Sequence, residues 1–419
     1  VTMRLRGVVI GGGLGGCSAG WALSRTPQLR ADVKVTVLQP GWRLGGKGAS
    51  GRNAAIGQRI EEHGLHMFMG WYDRAFYMLR ETYKARPSYP TAVHRSALDA
   101  FAGVDRMYFG QPDKSDFWDM PFDHKPNPTP GHDFRPDPSV RERTEQFVRS
   151  LASRLGLPGV VIPVAAELED LLEIIEFIAS GVVRLALPAE AAFRANVMLD
   201  LAFAIINGLI TDQVAARGWH SINDRDFRVW LSAHGARRST IDSALIKALY
   251  DLAFAYVGGD ENNPQVEAGS MLLGAIRMST EYRGFPIYRM QGGMGDVVFA
   301  PLYETLGDRG VDFRFFRFAK KLELSADKRR VERVVVARQV DLALGTTQDA
   351  RRMDIPVGGK IQKCWPNEPN WAQLAGPHIP ARDLERGGPE AAIETYTLGT
   401  DFDVVIIATP LGGGFVDEL

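Results

Sequence analysis

A glycine-rich turn near the start of the chain has the spacing of a phosphate-binding loop. Residues 11–16 read Gly-Gly-Gly-Leu-Gly-Gly and directly follow the apolar run 8–10. In such a G-x-G-x-x-G turn, Gly11 permits the bend, Gly13 lets a diphosphate approach the backbone, and Gly16 lets the helix pack close to the strand. The N–H groups and the dipole at the helix start favour a negative charge. The pattern therefore predicts a dinucleotide-binding strand, turn and helix.

The position expected to bind a ribose carries an amide instead of an acid. Dinucleotide-binding folds usually place Asp or Glu about 20 residues after the glycine turn, at the end of the second strand. Here the second strand-like run, residues 33–38, is followed by Gln39. Gln39 can exchange hydrogen bonds with a ribose hydroxyl, but it lacks the charge that discriminates against a 2′-phosphate. We therefore expect Gln39 to contact the adenosine ribose.

A second glycine motif and several later segments resemble one flavoenzyme superfamily. Arg43-Leu44-Gly45-Gly46-Lys47 is similar to its second motif, a basic residue followed by a glycine doublet, and residues 62–68 are similar to its E-H-G-x-H-x-F stretch. Further similar segments are residues 227–231, 291–295 and 403–410. Over nearly its whole length the chain resembles the FAD-dependent amine oxidase and phytoene (carotenoid) desaturase superfamily. The resemblance implies FAD as the cofactor.

The resemblance also implies a fold and a domain order. We expect an α/β protein with a discontinuous, Rossmann-like FAD-binding domain, built from a parallel sheet and a β-meander, and an inserted, mainly helical substrate domain. The FAD-binding domain would occupy residues 1–100 and 286–419, with a long insertion at 345–400 that could act as a lid or an interface. The insertion loop and the helical domain would occupy residues 101–285.

Apolar periodicity predicts the elements of these domains. The predicted helices are 141–155, 165–187, 190–216, 224–234, 241–257, 265–278 and 296–307, and the predicted later strands are 311–318, 320–324 and 331–340. Seven prolines within 111–138 predict a long surface insertion, either a flap over the active site or a solvated excursion. Asp224 and Asp226 are suited to cap the helix that follows them.

The predicted cofactor contacts combine the glycine pattern with the resemblance. They are Gly11, Gly13, Leu14, Gly15, Gly16, Gln39, Arg43, Gly45, Gly46, Lys47, Gly64, Leu65, His66, Ala319 and Ala408. The resemblance places the segment of Ala319 beside the adenine, and an ordinary core hairpin is the alternative for that segment.

Candidate catalytic residues are few. The resemblance places Glu62, His63 and His66 near the flavin ring, where a histidine could exchange a proton at neutral pH or simply position its neighbours. We predict His66 and Glu62 as the catalytic residues. No metal site is expected, because Cys17 and Cys364 are the only cysteines and lie far apart. Cys17 is expected to fill the core.

Abundant apolar helices and the absence of a recognisable amine cage indicate a hydrophobic substrate. We expect the protein to dehydrogenate or isomerise a lipid- or isoprenoid-like molecule by hydride transfer to flavin N5. The alternatives are a flavin-dependent amine or amino-acid oxidase and a non-catalytic flavin- or lipid-binding subunit of a larger complex. A nicotinamide-dependent dehydrogenase is a further alternative, which the Gly45-Gly46 doublet disfavours.

Charge and chain ends suggest the partners and the location. The 419 residues include 49 basic and 50 acidic side chains, a balance that gives no electrostatic case for nucleic acid. No apolar signal segment precedes Val8, so we expect a cytoplasmic protein, with peripheral membrane contact as an alternative. In the family a Gly-Asp-type motif follows the segment similar to residues 403–410. Because this motif is absent before Leu419, we expect a second polypeptide or a cleaved C-terminal piece to complete the FAD site.

Overall fold

The chain forms two compact units in a computed structural model. The structure describes residues 4–410 except 63, 65, 87–91, 111–116, 123–129, 133, 135, 158–159, 164–165, 184–186, 344–351 and 377. The first unit, called the sheet unit, comprises Val1–Phe68, Arg74–Ala102 and Arg289–Leu419. The second, called the helical unit, comprises Met69–Asp73 and Gly103–Tyr288.

The described strands are numbered in chain order. They are β1 (Leu5–Ile10), β2 (Val33–Gln39), β3 (Gly51–Asn53), β4 (Arg59–Glu61), β5 (Met67–Met69), β6 (Phe101–Val104), β7 (Arg106–Gly110), β8 (Phe117–Pro121), β9 (Ile287–Met290), β10 (Asp312–Phe315), β11 (Arg317–Leu324), β12 (Val331–Arg338), β13 (Asp341–Leu342), β14 (Met353–Val357), β15 (Lys360–Cys364), β16 (Leu374–Ala375), β17 (Ala392–Thr397) and β18 (Val404–Ile407).

The described α-helices are numbered in the same way. They are α1 (Leu14–Ser24), α2 (Pro27–Asp32), α3 (Asp73–Ala85), α4 (Ala97–Ala100), α5 (Val140–Arg154), α6 (Leu168–Val183), α7 (Ala189–Thr211), α8 (Val214–Arg217), α9 (Phe227–Ala233), α10 (Arg238–Ile241), α11 (Ala244–Ala253), α12 (Ala268–Thr280), α13 (Ala300–Asp308) and α14 (Ala381–Glu385).

The sheet unit is built on a parallel sheet of four strands in the order β10-β2-β1-β18. The buried strands are apolar on both faces, as parallel strands covered on both sides require. A three-stranded antiparallel meander, β11-β12-β17, packs against this sheet. Val8, Ile10 and Leu38 of the sheet share a core cluster with Val334 and Val336 of the meander. This arrangement confirms the predicted fold class.

The helical unit has its own core. Its cluster draws on α5, α6, α7, α9, α11 and α12. Trp230 is fully buried there, and its ring lies so close to Gly208 that a Cβ at that position would be 2.3 Å away. Among the described residues, one helix, α7 with 23 residues, is long and apolar enough to cross a membrane, and 56% of its most apolar window is buried. Packing in the core of the helical unit accounts for the apolar composition of α7.

Several predicted boundaries are wrong, and left-handed backbone explains most of them. The strand predicted at 311–318 breaks at Phe316, whose φ is +57° and whose N–H donates to the Gly41 carbonyl oxygen at 2.9 Å. The predicted helix 190–216 breaks before Gln213, whose φ is +54°, and the predicted helix 241–257 ends before Phe254, whose φ is +52°. A single residue with positive φ ends a helix or strand whatever the apolar pattern around it.

Part of the proline-rich segment forms a strand. Residues 117–121 form β8, which pairs antiparallel with β7, and the Trp118 side chain on it is buried while Phe117, Asp119 and Pro121 are exposed. Much of the rest of the segment lies outside the described residues, and its role as a surface insertion stays a prediction.

One side chain holds three segments of the helical unit together. Asp226 caps α9 by accepting hydrogen bonds from the N–H groups of Arg228 at 2.9 Å and Val229 at 3.3 Å. Its other oxygen accepts from the Tyr250 hydroxyl at 2.8 Å and from the Val266 N–H at 3.0 Å. Burial, followed by this contact with the carboxylate, raises the pKa of Tyr250.

We expect Asp226→Ala to lower the free energy of unfolding by about 2 to 4 kcal/mol, because it removes a helix cap and leaves buried donors unpaired. Asp224→Ala is the matched control, since the Asp224 side chain is 77% exposed, and it should cost less than about 0.5 kcal/mol. Urea unfolding followed by circular dichroism measures both. Equal unfolding midpoints for the two variants would contradict this role of Asp226.

Candidate dinucleotide-binding site

The first glycine turn is enforced by close backbone contacts. Gly11 has φ +105°, and a Cβ there would lie 2.8 Å from the Ala408 carbonyl oxygen. A Cβ at Gly16 would lie 1.8 Å from the Gly11 carbonyl oxygen. The Ala408 N–H donates to the Ile10 carbonyl oxygen at 2.9 Å, which brings β18 against the turn. Only glycine fits at positions 11 and 16, as the sequence spacing predicts.

The start of α1 is open to an anion. Gly13 is the residue before the helix, and among the described residues no side chain caps this end or places an acid in its first turn. Leu14 and Gly15 are exposed. The first N–H groups of a helix have no partner inside it, and the helix dipole adds partial positive charge there. A diphosphate bound there would accept hydrogen bonds from these N–H groups and would be attracted by the partial positive charge.

The second glycine motif lies against the first. The Gly45 N–H donates to the Gly12 carbonyl oxygen at 3.0 Å, and Gly13 and Gly45 form a parallel bridge. Gly45 has φ +127°, and a Cβ there would lie 2.7 Å from the Ala49 nitrogen. At Gly46, with φ +54°, a Cβ would lie 3.7 Å from the Gly13 Cα. The glycines of the two turns thus lie against each other, and close backbone contacts take the place of side chains at Gly11, Gly16 and Gly45.

Gln39 binds the backbone of the first glycine turn in this structure. Its side chain is buried, its Oε1 accepts the Gly12 N–H at 2.7 Å, and its Nε2 donates to the Pro40 carbonyl oxygen at 2.7 Å. Gln39 therefore supports the glycine turn from beneath. Its contact with a ribose stays a prediction.

Arg43 is likewise bound within the protein. Its Nε and Nη2 donate to the two carboxylate oxygens of Glu385 at 2.6 and 3.0 Å, and its Nη1 donates to the Ser50 carbonyl oxygen at 2.8 Å. The Arg43 side chain is only 8% exposed. All three nitrogens already donate within the protein, and the predicted cofactor contact of Arg43 stays a prediction. Lys47 remains exposed beside the turn.

Glu62 and His66 lie in hydrogen-bond contact with each other. Glu62 Oε2 lies 2.8 Å from His66 Nδ1. Glu62 Oε1 accepts from the Ser50 hydroxyl at 2.6 Å and from the Met294 N–H at 3.0 Å, and the Ser50 hydroxyl accepts the Gly295 N–H at 2.8 Å. The carboxylate therefore fixes the imidazole through Nδ1 and leaves Nε2 for proton exchange.

A buried ion pair underlies this network, and sequence reasoning missed it. Arg52 donates through Nη2 to Asp296, and both side chains are at most 4% exposed. Asp296 also accepts the Gly293 N–H at 3.1 Å. Burial raises the pKa of Asp296, although Arg52 acts in the opposite direction. Asp296 directly follows the glycine-rich residues 291–295, and this position was the sequence signal that could have revealed the ion pair.

The remaining predicted residues differ in their surroundings. Ala408 lies beside the first glycine turn, since a Cβ added at Gly15 would be 3.7 Å from its Cβ. Ala319 is buried in the core between sheet and meander. Gly64 is exposed. His63 and Leu65 lie outside the described residues.

Comparison with known proteins identifies the class of the first segment. Residues 9–82 match the family model of an NAD(P)-binding Rossmann-like domain. The sheet unit therefore contains a Rossmann-like dinucleotide-binding domain, which confirms the resemblance at the level of this domain. No curated protein matches the sequence.

Two solved structures illustrate more distant similarity. An oxidoreductase from Methanosarcina mazei is 13% identical with a TM-score of 0.38, and the alignment covers 80% of this chain and 57% of that one. The PF1083 protein from Pyrococcus furiosus is 13% identical with a TM-score of 0.31, and the alignment covers 99% and 94% of the two chains. The chain thus spans little more than half of the Methanosarcina mazei oxidoreductase. Both TM-scores lie below 0.5, so the functional argument rests on the site itself.

We predict that the thiols of both cysteines are unreactive, because both side chains are buried. Cys17, in the first turns of α1, and Cys364 are both fully buried, and burial raises the pKa of each thiol to about 12. At pH 8 only about one thiol in 10,000 would be ionised, and the thiolate is the reactive form. Titration with a disulfide reagent at pH 8 should find no fast-reacting thiol in the folded chain and two in urea. A fast-reacting thiol in the folded protein would contradict core filling by Cys17 or burial of Cys364.

Proposed function

We propose that this chain belongs to an FAD-dependent oxidoreductase that dehydrogenates or isomerises a hydrophobic, lipid- or isoprenoid-like substrate. The observation that carries the proposal is the joined surface of the two glycine turns at the uncapped start of α1. The sequence resemblance supports FAD over other dinucleotides, since the Gly45-Gly46 doublet is a flavin trait.

The residues present fit the diphosphate and adenosine part of such a cofactor. Leu14 and Gly15 offer exposed backbone N–H groups, and Gly13 and Gly46 leave space where a Cβ would otherwise stand. Lys47 offers the exposed positive charge. When bound, FAD would supply the hydride-accepting redox chemistry, and the protein supplies alignment and polarity.

A small cavity in the helical unit is apolar, as the proposed substrate class requires, and has room for a short segment of such a substrate. It has a volume of about 100 Å³ and lies among α5, α7, α11 and α12. The lining residues are Met120, Phe122, Phe147, Ser150, Leu151, Arg154, Met198, Leu201, Ile205, Phe227, Leu245, Leu249, Leu272, Ala275, Ile276, Met278 and Ser279. Apolar walls with flexible methionines suit an apolar ligand whose shape they can follow.

His66 is the side chain best placed to move a proton in the proposed reaction. Glu62 holds its Nδ1, and the imidazole is 21% exposed, so Nε2 can exchange a proton with a ligand. Glu62 itself is a positioning residue, because both of its oxygens are occupied by Ser50, Met294 and His66.

A nicotinamide-dependent dehydrogenase is the second candidate, and the NAD(P)-binding family model favours it. Both cofactors contain an adenosine diphosphate, so the glycine turns alone do not separate them. A second polypeptide that completes the site, cytoplasmic location and contact with a membrane surface stay predictions.

The cofactor can be tested at the start of α1. Mixed with FAD and freed of excess cofactor by gel filtration, the purified chain should retain flavin and absorb at about 450 nm. Leu14→Glu should abolish this absorbance, because an added carboxylate repels the diphosphate while it suits the helix dipole and preserves folding. Leu14→Gln, of the same size without charge, should keep the flavin. A colourless wild-type protein that contains NAD would favour the second candidate, and flavin retained by both variants would place the diphosphate elsewhere.

The catalytic role of His66 can be tested separately. Anaerobic addition of an isoprenoid polyene in detergent micelles should bleach the flavin of the wild type. His66→Gln should slow this bleaching by about 10²- to 10⁴-fold with unchanged flavin content, since general acid–base catalysis contributes factors of this size. His220→Gln is the matched control, because His220 is exposed in the helical unit and its Nδ1 contacts the Asn223 amide at 3.3 Å. An unchanged bleaching rate in His66→Gln removes His66 from the chemistry.

A further inference from the structure

We propose that Glu385, from the long insertion, supplies the ribose-binding carboxylate that the sequence lacks at position 39. The adenosine site would then select a nucleotide with a free 2′-hydroxyl and reject a 2′-phosphate. This inference deepens the proposed function, because it concerns the adenosine half of the same site.

The usual position cannot perform this task here. Position 39 ends β2, where the ribose-binding acid of a Rossmann-like domain is expected. The Gln39 side chain is only 6% exposed and is bound to Gly12 and Pro40. A ribose bound at the end of β2 would therefore contact a side chain other than Gln39.

Glu385 stands beside the chain as it leaves β2. A Cβ at Gly41, two residues after the strand, would lie 3.4 Å from the Glu385 Cγ. Gly41 has φ +68°, which together with this close approach favours glycine. The insertion thus brings a carboxylate to the place where the sequence pattern expects one.

Two hydrogen bonds of the Gln339 side chain fix Glu385 beside the end of β2. Gln339 accepts the Gly41 N–H at 2.8 Å through Oε1 and donates to the Leu384 carbonyl oxygen at 2.7 Å through Nε2. A single buried side chain therefore ties the end of β2 to the residue before Glu385. Leu384 is fully buried and anchors α14.

Arg43 orients the carboxylate and leaves part of it accessible. The guanidinium holds both oxygens of Glu385, yet the Glu385 side chain is 33% exposed. Each carboxylate oxygen has about two acceptor sites, so one ribose hydroxyl can still donate to each. A 2′-phosphate would instead face a negative charge.

Loss of the acid would change the charge that the site presents to the ribose. Without Glu385, Arg43 keeps its bond to Ser50 but loses its carboxylate partner, and guanidinium groups bind phosphate well. The site would then change its preference toward 2′-phosphorylated nucleotides.

Isothermal titration of the full chain, freed of bound flavin by dialysis against potassium bromide, tests this inference. The ligands are ADP, 2′-deoxy-ADP and 2′-phospho-ADP. The wild type should bind ADP about 10-fold or more tightly than either analogue, the size of a lost hydrogen bond to a charged group. Glu385→Gln should prefer ADP over 2′-deoxy-ADP less strongly than the wild type does, because its amide oxygen accepts a hydrogen bond without a charge, and it should gain affinity for 2′-phospho-ADP. Asp383→Asn, on the same helix and 48% exposed, should behave as the wild type.

Glu385→Asp keeps the test valid if the amide variant folds poorly. It retains the charge and should still reject 2′-phospho-ADP, with circular dichroism as the check on folding. Wild-type ligand ratios in Glu385→Gln, or no ADP binding by the wild type, would overturn the inference. ADP binding without any flavin would contradict the proposed function but leave this role of Glu385 intact.

Discussion

The contact between helix α1 and the backbone of the first glycine turn is the constraint on which the site depends. A Cβ at Gly16 would stand 1.8 Å from the Gly11 carbonyl oxygen, so the helix can begin where it does only without a side chain. This approach puts the free N–H groups of the helix at the edge of the parallel sheet. The second turn can then lie against the first through the bond from Gly45 to Gly12.

Polar groups around the turns are used chiefly to hold the backbone. Gln39 binds the Gly12 N–H, Ser50 binds the Gly295 N–H, and Asp296 binds the Gly293 N–H. A buried N–H without a partner is costly, so each close approach of backbone needs such a side chain beside it. The two turns are consequently built mainly of glycine backbone, and these polar side chains beside them already bind backbone N–H groups.

The long insertion contacts the chain beside the second glycine motif. Its helix α14 brings Glu385 to Arg43, and the Trp42 indole N–H donates to the Pro366 carbonyl oxygen at 3.0 Å. The insertion therefore binds the first residue of the second glycine motif, Arg43, and the residue before it, Trp42. Sequence reasoning recognised its unusual length but could not find its contacts, because Arg43 and Glu385 are 342 positions apart.

The sequence by itself determined the strand, turn and helix at the start and the second glycine turn. These depend on short-range spacing, in which steric demands on glycine and local hydrogen bonds act within a few residues. The parallel sheet and its meander were expected from the family resemblance, because neighbouring strands of the sheet come from opposite ends of the chain. Only the tertiary structure decided that Gln39 faces the glycine turn, that Arg43 is paired with Glu385 and that Arg52 meets Asp296. The partners of these polar side chains come from distant segments, and the free energy of burying a charge or an amide depends on which partner folding brings to it.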